Sequence, residues 1–137
     1  HATGVLGLTG RGSAEHWGVT GALDVTVGTL GKALGTSGAF VAGSTTLREL
    51  LLHRARSFVF TTASPPALAA ATLRALAVLH DEPERRARLL ANTRHLRAGL
   101  AALGRPAPGD ADGHVIPIVR GNAALTARVG EALRARG

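Results

Sequence analysis

The stretch Gly28-Thr29-Leu30-Gly31-Lys32-Ala33-Leu34-Gly35 contains Lys32, the only lysine among sixteen lysines and arginines. An amine can lose its proton and become a nucleophile, whereas a guanidinium stays protonated and cannot form a Schiff base. Glycines on both sides would let a flat ligand approach the backbone closely. Taken alone, the octapeptide is better explained by a solvated lysine in an arginine-rich sequence, so the flanking segments must decide.

The segments on either side predict alternating strands and helices. Short, β-branched or aromatic runs bounded by turn residues predict a buried strand at 24–28 and further strands at 38–43, 57–60 and 114–119. Helices are predicted from Ser44 to Arg56, from the Pro65-Pro66 pair onward, from Asp81 to about Leu103, and over 122–136. The helix after Pro66 is expected to turn Leu68, Ala71, Leu76 and Leu79 inward. Alternation of this kind predicts an α/β fold, and we expect a domain boundary near residue 80, where the composition becomes arginine-rich.

Composition narrows the class of protein. Hydrophobic residues make up 45% of the chain but aromatic residues only 3%, so the core must consist mainly of alanine, valine and leucine. The absence of cysteine excludes disulfides and thiolate metal sites, which fits a reducing cytoplasm. The net charge of +7 raises the question of nucleic acid, but the arginines are spread along helical patterns with no dense block and almost no aromatic residues among them, so we expect no nucleic-acid partner. No apolar run is long enough to predict a membrane span.

Two nucleotide-binding motifs fail on their spacing. A phosphate-binding loop of the Walker type needs a glycine five residues before Gly31 and a Ser or Thr after the lysine, where this chain has Thr26 and Ala33. A dinucleotide fingerprint fails because Gly10-Arg11-Gly12 supplies only its first spacing.

Several collinear motifs together resemble the α-oxoamine synthases, which are pyridoxal-phosphate enzymes of the aspartate-aminotransferase fold. The resemblance covers nearly the whole chain, is strong over 1–66 and is weak after 80. The motifs that carry it are His1 to Gly7, Gly10-Arg11-Gly12, Glu15-His16, Asp24 to Gly43, Arg54 to Thr62, and Pro65-Pro66.

The resemblance implies a three-layer PLP-dependent transferase fold. Residues 1–80 would form the C-terminal half of the large PLP-binding domain, and residues 81–137 a connecting helix and the beginning of a smaller C-terminal domain. It implies pyridoxal 5'-phosphate as cofactor, a homodimer with a shared active site, and a cytoplasmic location. The members of the family involved in biotin synthesis are the most similar, which implies decarboxylative condensation of L-alanine with a pimeloyl thioester.

Other enzymes of the family remain alternatives, namely 2-amino-3-ketobutyrate ligase, 5-aminolevulinate synthase and serine palmitoyltransferase. A different class also remains open, a non-catalytic basic interaction module derived from the same fold. Its affinity for nucleic acid would depend on salt, because phosphate binding releases counterions.

The resemblance also assigns site residues. Lys32 matches the Schiff-base lysine, which would also act as base on the substrate α-carbon. His1 matches a histidine that hydrogen-bonds the phenolic oxygen of the cofactor, and Thr29 a hydroxyl that binds its phosphate. Thr61 and Thr62 match residues that reach the phosphate held by the neighbouring subunit. Without the resemblance, the same residues would be explained as a solvated terminal histidine, a strand end and a helix cap.

Three functional groups of the family have no counterpart in the chain. The aspartate that pairs with the pyridine nitrogen would lie three residues before His1, and the histidine that stacks on the cofactor ring would also lie upstream. The arginine that binds the substrate carboxylate would follow Gly137. We therefore expect residues 1–137 to be an internal piece of a longer polypeptide and to be inactive alone.

Overall fold

The computed structural model describes all residues from 1 to 137, which group into two compact units, His1–Arg86 and Ala87–Gly137. None of the helices is both long and apolar enough to cross a lipid bilayer. In chain order the elements are α1 (Ser13–His16), a 3₁₀ turn (Thr20–Ala22), β1 (Val25–Thr29), β2 (Ala39–Gly43), α2 (Thr45–Arg54), α3 (Arg56–Val59), α4 (Pro66–Asp81), α5 (Glu84–Ala102) and α6 (Ala123–Arg134).

Strands β1 and β2 pair antiparallel, in a register that sets Val25 opposite Gly43 and Thr29 opposite Ala39. Both strands were predicted within one residue of their ends. The prediction that the first is buried was wrong, since Val25 is 47% and Val27 67% exposed. A sheet of two strands leaves both faces uncovered unless another element packs on them. Gly28 is the buried residue of β1, because the Phe40 ring of the facing strand lies over it.

Helix α2 begins as predicted after Ser44, whose hydroxyl accepts a hydrogen bond from the amide of Leu47 at 3.1 Å. It ends at Arg54, because Ala55 adopts an extended conformation. The strand predicted at 57–60 is wrong, because residues 56–59 form the single helical turn α3. The amides of Phe58 and Val59 both donate to the carbonyl of Ala55, so local bonds take the donors that a strand would offer to a neighbour.

Helix α4 begins at Pro66, which suits the first turn because it has no amide to leave unpaired. Leu68 and Leu79 are half-buried as predicted, but Ala71 and Leu76 are exposed. Ala77 and Val78 are also half-buried, and Leu68, Thr72, Ala75 and Leu79 follow one another at spacings of four, three and four residues. Such spacing keeps side chains on one face of a helix. Thr72 therefore lies on the inner face of α4, although it is polar.

In the second unit, arginines of α5 hold the loop that follows the helix. The guanidinium of Arg97 donates to the carbonyls of Ala107 at 3.1 Å, Pro108 at 3.2 Å and Gly113 at 3.1 Å. The guanidinium of Arg94 contacts the carboxylate of Asp112 at 2.7 Å. Thr93 on the same helix is 4% exposed. Hydrogen bonds and an ion pair from arginine side chains therefore fix this loop against α5.

The strand predicted at 114–119 is also wrong, because the segment has no regular structure. Pro117 removes one ladder donor, and no strand of the second unit lies beside the segment to pair with it. Helix α6 is present as predicted, and the side chain of Asn122 caps it by accepting from the amide of Leu125 at 2.8 Å.

We expect Ser44→Ala to destabilise the first turn of α2 by about 1 kcal/mol, because it removes the acceptor that satisfies the Leu47 amide. Hydrogen exchange at that amide should accelerate by roughly fivefold. Thr46→Ala, on the same turn, keeps the cap and serves as the matched control. Equal exchange at Leu47 in both variants would contradict the capping role of Ser44.

Candidate active site around Lys32

Lys32 lies in the connection between β1 and β2, which spans residues 30–38. The amide of Leu30 donates to the carbonyl of Gly38 at 2.9 Å, and the amide of Thr36 donates back to the carbonyl of Leu30 at 3.0 Å. A turn follows Lys32 itself, whose carbonyl accepts from the amide of Gly35 at 3.0 Å. Gly35 has a φ of 62°, a conformation that other residues rarely adopt. The backbone around Lys32 is therefore closed at its base by hydrogen bonds.

The amine of Lys32 contacts the hydroxyl of Thr29. Lys32 Nζ donates to Thr29 Oγ1 at 2.8 Å, and both side chains are exposed. Thr29 is the last residue of β1, so the strand end fixes the hydroxyl and the hydroxyl in turn orients the amine. The structure thus brings together two of the predicted site residues, Lys32 and Thr29. The Thr29 hydroxyl accepts from the amine and can still donate its own proton to another group.

The segment that begins with His1 packs against the same loop. Gly4 has a φ of 84°, and a Cβ on it would lie 2.8 Å from the Cβ of Ala33. Val5 and Leu34, the next residues on the two segments, are 7% and 6% exposed and are the buried hydrophobic residues of the chain. His1 itself is exposed. The structure therefore places the segment of His1 next to the residue that follows Lys32.

Glu15 holds the glycine-rich turn of that segment, a role that the sequence did not predict. Its carboxylate accepts from the amide of Thr9 at 3.0 Å, from the hydroxyl of Thr9 at 2.8 Å and from the amide of Arg11 at 2.9 Å. Gly7 lies so close to this carboxylate that a Cβ there would collide with it. The hydrogen bonds from Arg11 and Thr9 lower the pKa of Glu15 below its ordinary value. The feature of the sequence that could have indicated this role is a glutamate shortly after a run rich in glycine, whose backbone amides have few other acceptors.

Thr61 and Thr62 lie after α3 and are exposed. The hydroxyl of Thr61 donates to the carbonyl of Thr62 at 3.3 Å, and its amide donates to the carbonyl of Phe58 at 3.4 Å. These bonds are local and do not include Lys32 or Thr29. Their assignment to the phosphate of a neighbouring subunit stays a prediction, as do the roles of Lys32, His1 and Thr29.

An apolar cleft of about 540 Å³ lies between β2, α2 and α3. Its lining includes Phe40, Leu47, Leu51 and Phe58, with Arg48 as its only charged residue. A small-molecule site usually combines such a surface with several convergent polar groups. The cleft lacks such a set of polar groups.

The sequence profile described as Aminotransferase class I and II matches residues 1–137. The chain belongs to this family. The 8-amino-7-oxononanoate synthase of Methylococcus capsulatus (strain Bath) is 54% identical over 122 residues, covering 88% of this chain and 31% of that enzyme. The enzyme of the same name from Anaeromyxobacter dehalogenans (strain 2CP-C) is 52% identical over 137 residues, covering 100% of this chain and 34% of the enzyme. The chain therefore spans about a third of the length of these relatives.

Solved structures agree with this family membership. A serine palmitoyltransferase from S. paucimobilis, with a bound PLP–myriocin aldimine, matches 100% of this chain and 36% of its own with a TM-score of 0.92 and 30% identity. The 8-amino-7-oxononanoate synthase of Francisella tularensis matches 99% of this chain and 41% of its own with a TM-score of 0.83 and 31% identity. These likenesses confirm the predicted α/β fold of PLP-dependent transferases. The division into 1–80 and 81–137 stays a prediction.

We expect the turn held by Glu15 to loosen in acid. Because the pKa of Glu15 is lowered in the folded chain, its carboxylate stabilises the turn above the ordinary carboxyl pKa, and this stabilisation is lost as the pH falls through the lowered value. Protection of the Thr9 and Arg11 amides against hydrogen exchange should fall over that range, and Glu15→Gln should lower it at neutral pH.

The control for this prediction is the amide of Ala55 at the end of α2, which donates to the carbonyl of Leu51 at 3.0 Å and lies outside the turn held by Glu15. Protection factors of Thr9 and Arg11 that stay constant on acidification would contradict the role given to Glu15.

Proposed function

We propose that residues 1–137 are part of a PLP-dependent C-acyltransferase of biotin biosynthesis. The enzyme would condense L-alanine with a pimeloyl thioester, carried on coenzyme A or on a carrier protein, to give 8-amino-7-oxononanoate, carbon dioxide and the free thiol. The observation that carries the proposal is the amine of Lys32, held 2.8 Å from the hydroxyl of Thr29 on a closed loop. The relatives that are 52–54% identical to the chain carry the name of this enzyme.

The groups around Lys32 fit pyridoxal 5'-phosphate chemically. The cofactor needs an amine for its aldehyde, hydrogen-bond donors for its phosphate and a partner for its phenolic oxygen. Lys32 offers the only lysine amine of the chain, Thr29 a hydroxyl beside it, and His1 an imidazole on the segment packed against the loop. When bound, the cofactor supplies an electron sink for negative charge at the substrate α-carbon.

Each residue then has a defined task. Lys32 would hold the cofactor through its amine, and the same amine, when free, would accept the proton of the substrate α-carbon. Thr29 orients that amine and can donate its own hydroxyl proton to a phosphate oxygen, since a hydroxyl both accepts and donates. His1 hydrogen-bonds the phenolic oxygen. Glu15 keeps the glycine turn in place, and with it the segment that begins at His1.

The shared site of a cytoplasmic homodimer belongs to the same proposal. In it Thr61 and Thr62 would reach the phosphate of the neighbouring subunit. Their exposure and their position after α3 leave both hydroxyls accessible to a second chain. Two polypeptides would then contribute residues to the proposed site.

Serine palmitoyltransferase is the second candidate, because a structure of that enzyme matches the whole chain with a TM-score of 0.92. Sequence identity favours the first candidate, at 52% against 30% over the full chain. The other two alternatives, with glycine and an acetyl or succinyl thioester, share the chemistry proposed for Lys32. The basic interaction module would instead bind nucleic acid in low salt and release no thiol.

The test uses a chimera in which residues 1–137 replace the matching segment of the Anaeromyxobacter dehalogenans enzyme. With pyridoxal phosphate, L-alanine and pimeloyl-coenzyme A, we expect the chimera to release thiol, and Lys32→Ala to lower the rate by at least about a hundredfold. Borohydride reduction should fix the cofactor to the peptide of Lys32, and peptide mass spectrometry should locate it there.

Arg48→Ala is the matched control, because it removes an exposed cation paired with Glu49 and should leave thiol release unchanged. Thiol release that survives Lys32→Ala would overturn the assignment of Lys32. Release with L-serine and palmitoyl-coenzyme A, and none with L-alanine and pimeloyl-coenzyme A, would favour the second candidate.

Thr29→Ala should weaken the affinity of the same chimera for pyridoxal phosphate by about tenfold or more, because a hydrogen bond to a charged phosphate is lost. Thr29→Ser keeps the hydroxyl and should stay within a small factor of the parent. The measurement is the dissociation constant of the cofactor from absorbance titration. Similar constants for alanine and serine would show that the hydroxyl does not contact the phosphate.

A further inference from the structure

Two threonine hydroxyls connect the loop of Lys32 to helix α4. Thr36 Oγ1 and Thr72 Oγ1 lie 3.0 Å apart, and both are partly buried. Thr36 belongs to the connection between β1 and β2, four residues after Lys32, while Thr72 lies on the half-buried side of α4. Among the hydrogen bonds of the first unit, this contact joins the loop to a helix that is distant in sequence.

The protons on this pair have a preferred direction. Thr72 Oγ1 donates to the carbonyl of Leu68 at 2.8 Å, one turn earlier in α4. A hydroxyl has one proton, so Thr72 accepts from Thr36 when it donates to Leu68. The hydroxyl of Thr36 also lies 3.3 Å from the carbonyl of Leu30, but its single proton cannot go there while it is donated to Thr72. The carbonyl of Leu30 then accepts from the Thr36 amide at 3.0 Å. A chain of polar contacts therefore runs from the end of β1 to the first turns of α4.

This chain reaches the atoms that set the position of Lys32. Leu30 is the first residue of the connection and follows Thr29, whose hydroxyl holds the Lys32 amine. Thr36 closes the loop at the carbonyl of Leu30 and is itself held by Thr72. Without the Thr36 hydroxyl, Thr72 keeps only its bond to the carbonyl of Leu68, and without the Thr72 hydroxyl, Thr36 has only the carbonyl of Leu30 as acceptor. Either change therefore removes the hydrogen bond that joins the loop to α4, and with it the stabilisation that this bond contributes.

We propose that Thr36 and Thr72 are positioning residues for Lys32: as one hydrogen-bonded unit they hold the loop against α4, so that the amine stays above the end of β1 where the cofactor must meet it. The inference rests on the proposed function of Lys32. It goes beyond that function by assigning a role to two residues that the resemblance does not place in the binding site.

The experiment measures how fast pyridoxal phosphate becomes attached to Lys32 in the chimera, by borohydride trapping at intervals after mixing apoenzyme with cofactor, at several pH values. Thr36→Val and Thr72→Val keep the side-chain shape and remove the hydroxyl. We expect each to slow attachment by about tenfold. The double variant should be about as slow as either single one, because the two residues act as a unit.

Two controls separate positioning from general stability. Thr126→Val removes the same kind of bond in helix α6, where Thr126 Oγ1 donates to the carbonyl of Asn122 at 2.8 Å, and should leave attachment unchanged. Thr72→Ser restores the hydroxyl and should restore the parental rate. If Thr36→Val prevents folding, Thr72→Val carries the test alone, since the loop keeps its bond from the Thr36 amide to Leu30.

The outcomes also distinguish this inference from the proposed function. Parental attachment rates in both valine variants, with attachment abolished by Lys32→Ala, would overturn the positioning role and leave the function of Lys32 intact. Independent, multiplicative effects of the two valines would equally overturn it, because a shared hydrogen bond can be lost only once. Attachment that does not depend on Lys32 would overturn the proposed function and this inference together.

Discussion

The closed base of the 30–38 connection is the constraint on which the candidate site depends. The amide of Leu30 donates to the carbonyl of Gly38, and its carbonyl accepts from the amide of Thr36. Leu30 alone therefore closes the loop at both hydrogen bonds of its base. The pairing of β1 with β2 continues through Leu30 into the loop, and the Thr29 hydroxyl at the strand end receives the Lys32 amine. A lysine side chain loses much rotamer freedom when it is held in one place, and the hydrogen bonds of the loop separately fix the backbone that carries it.

The loop of Lys32 also packs against the segment that begins at His1. Gly4 lies against Ala33 so closely that no Cβ fits, and the buried residues Val5 and Leu34 follow on each side. The conformation of the first segment depends in turn on Glu15, whose carboxylate collects three hydrogen bonds from Thr9 and Arg11. Hydrogen bonds from neutral donors to a carboxylate are stronger than those between neutral groups, which explains how one side chain can order a turn so rich in glycine.

The sequence predicted those elements whose determinants are local. Ser44, Pro66 and Asn122 start helices through bonds or backbone angles within a few residues, and each helix begins where its cap predicts. The segments 57–60 and 114–119 contain β-branched and aromatic residues, which favour strands. A strand also needs a partner strand beside it, and the residues of the segment itself do not show whether one is present. The same distinction holds at the site. The loop of Lys32 was predictable from its glycines and its lone amine, whereas the Thr36–Thr72 contact joins residues 36 positions apart and left no pattern in the sequence.

The arginines illustrate how composition alone misleads about function. A charge of +7 suggests a polyanionic partner, yet several guanidinium groups are used inside the chain. Arg97 bonds three loop carbonyls, and Arg86 donates to the carbonyl of Leu79 at 2.7 Å and to that of Leu8 at 3.4 Å. A planar guanidinium with five donors suits this task, since it can satisfy several carbonyls that no amide reaches. Lysine would serve such sites poorly, because its ammonium is a single point with a strong preference for water. Under the proposed function, the one position at which the chain keeps a lysine is the one whose side chain must lose a proton and bond to carbon, which a guanidinium cannot do.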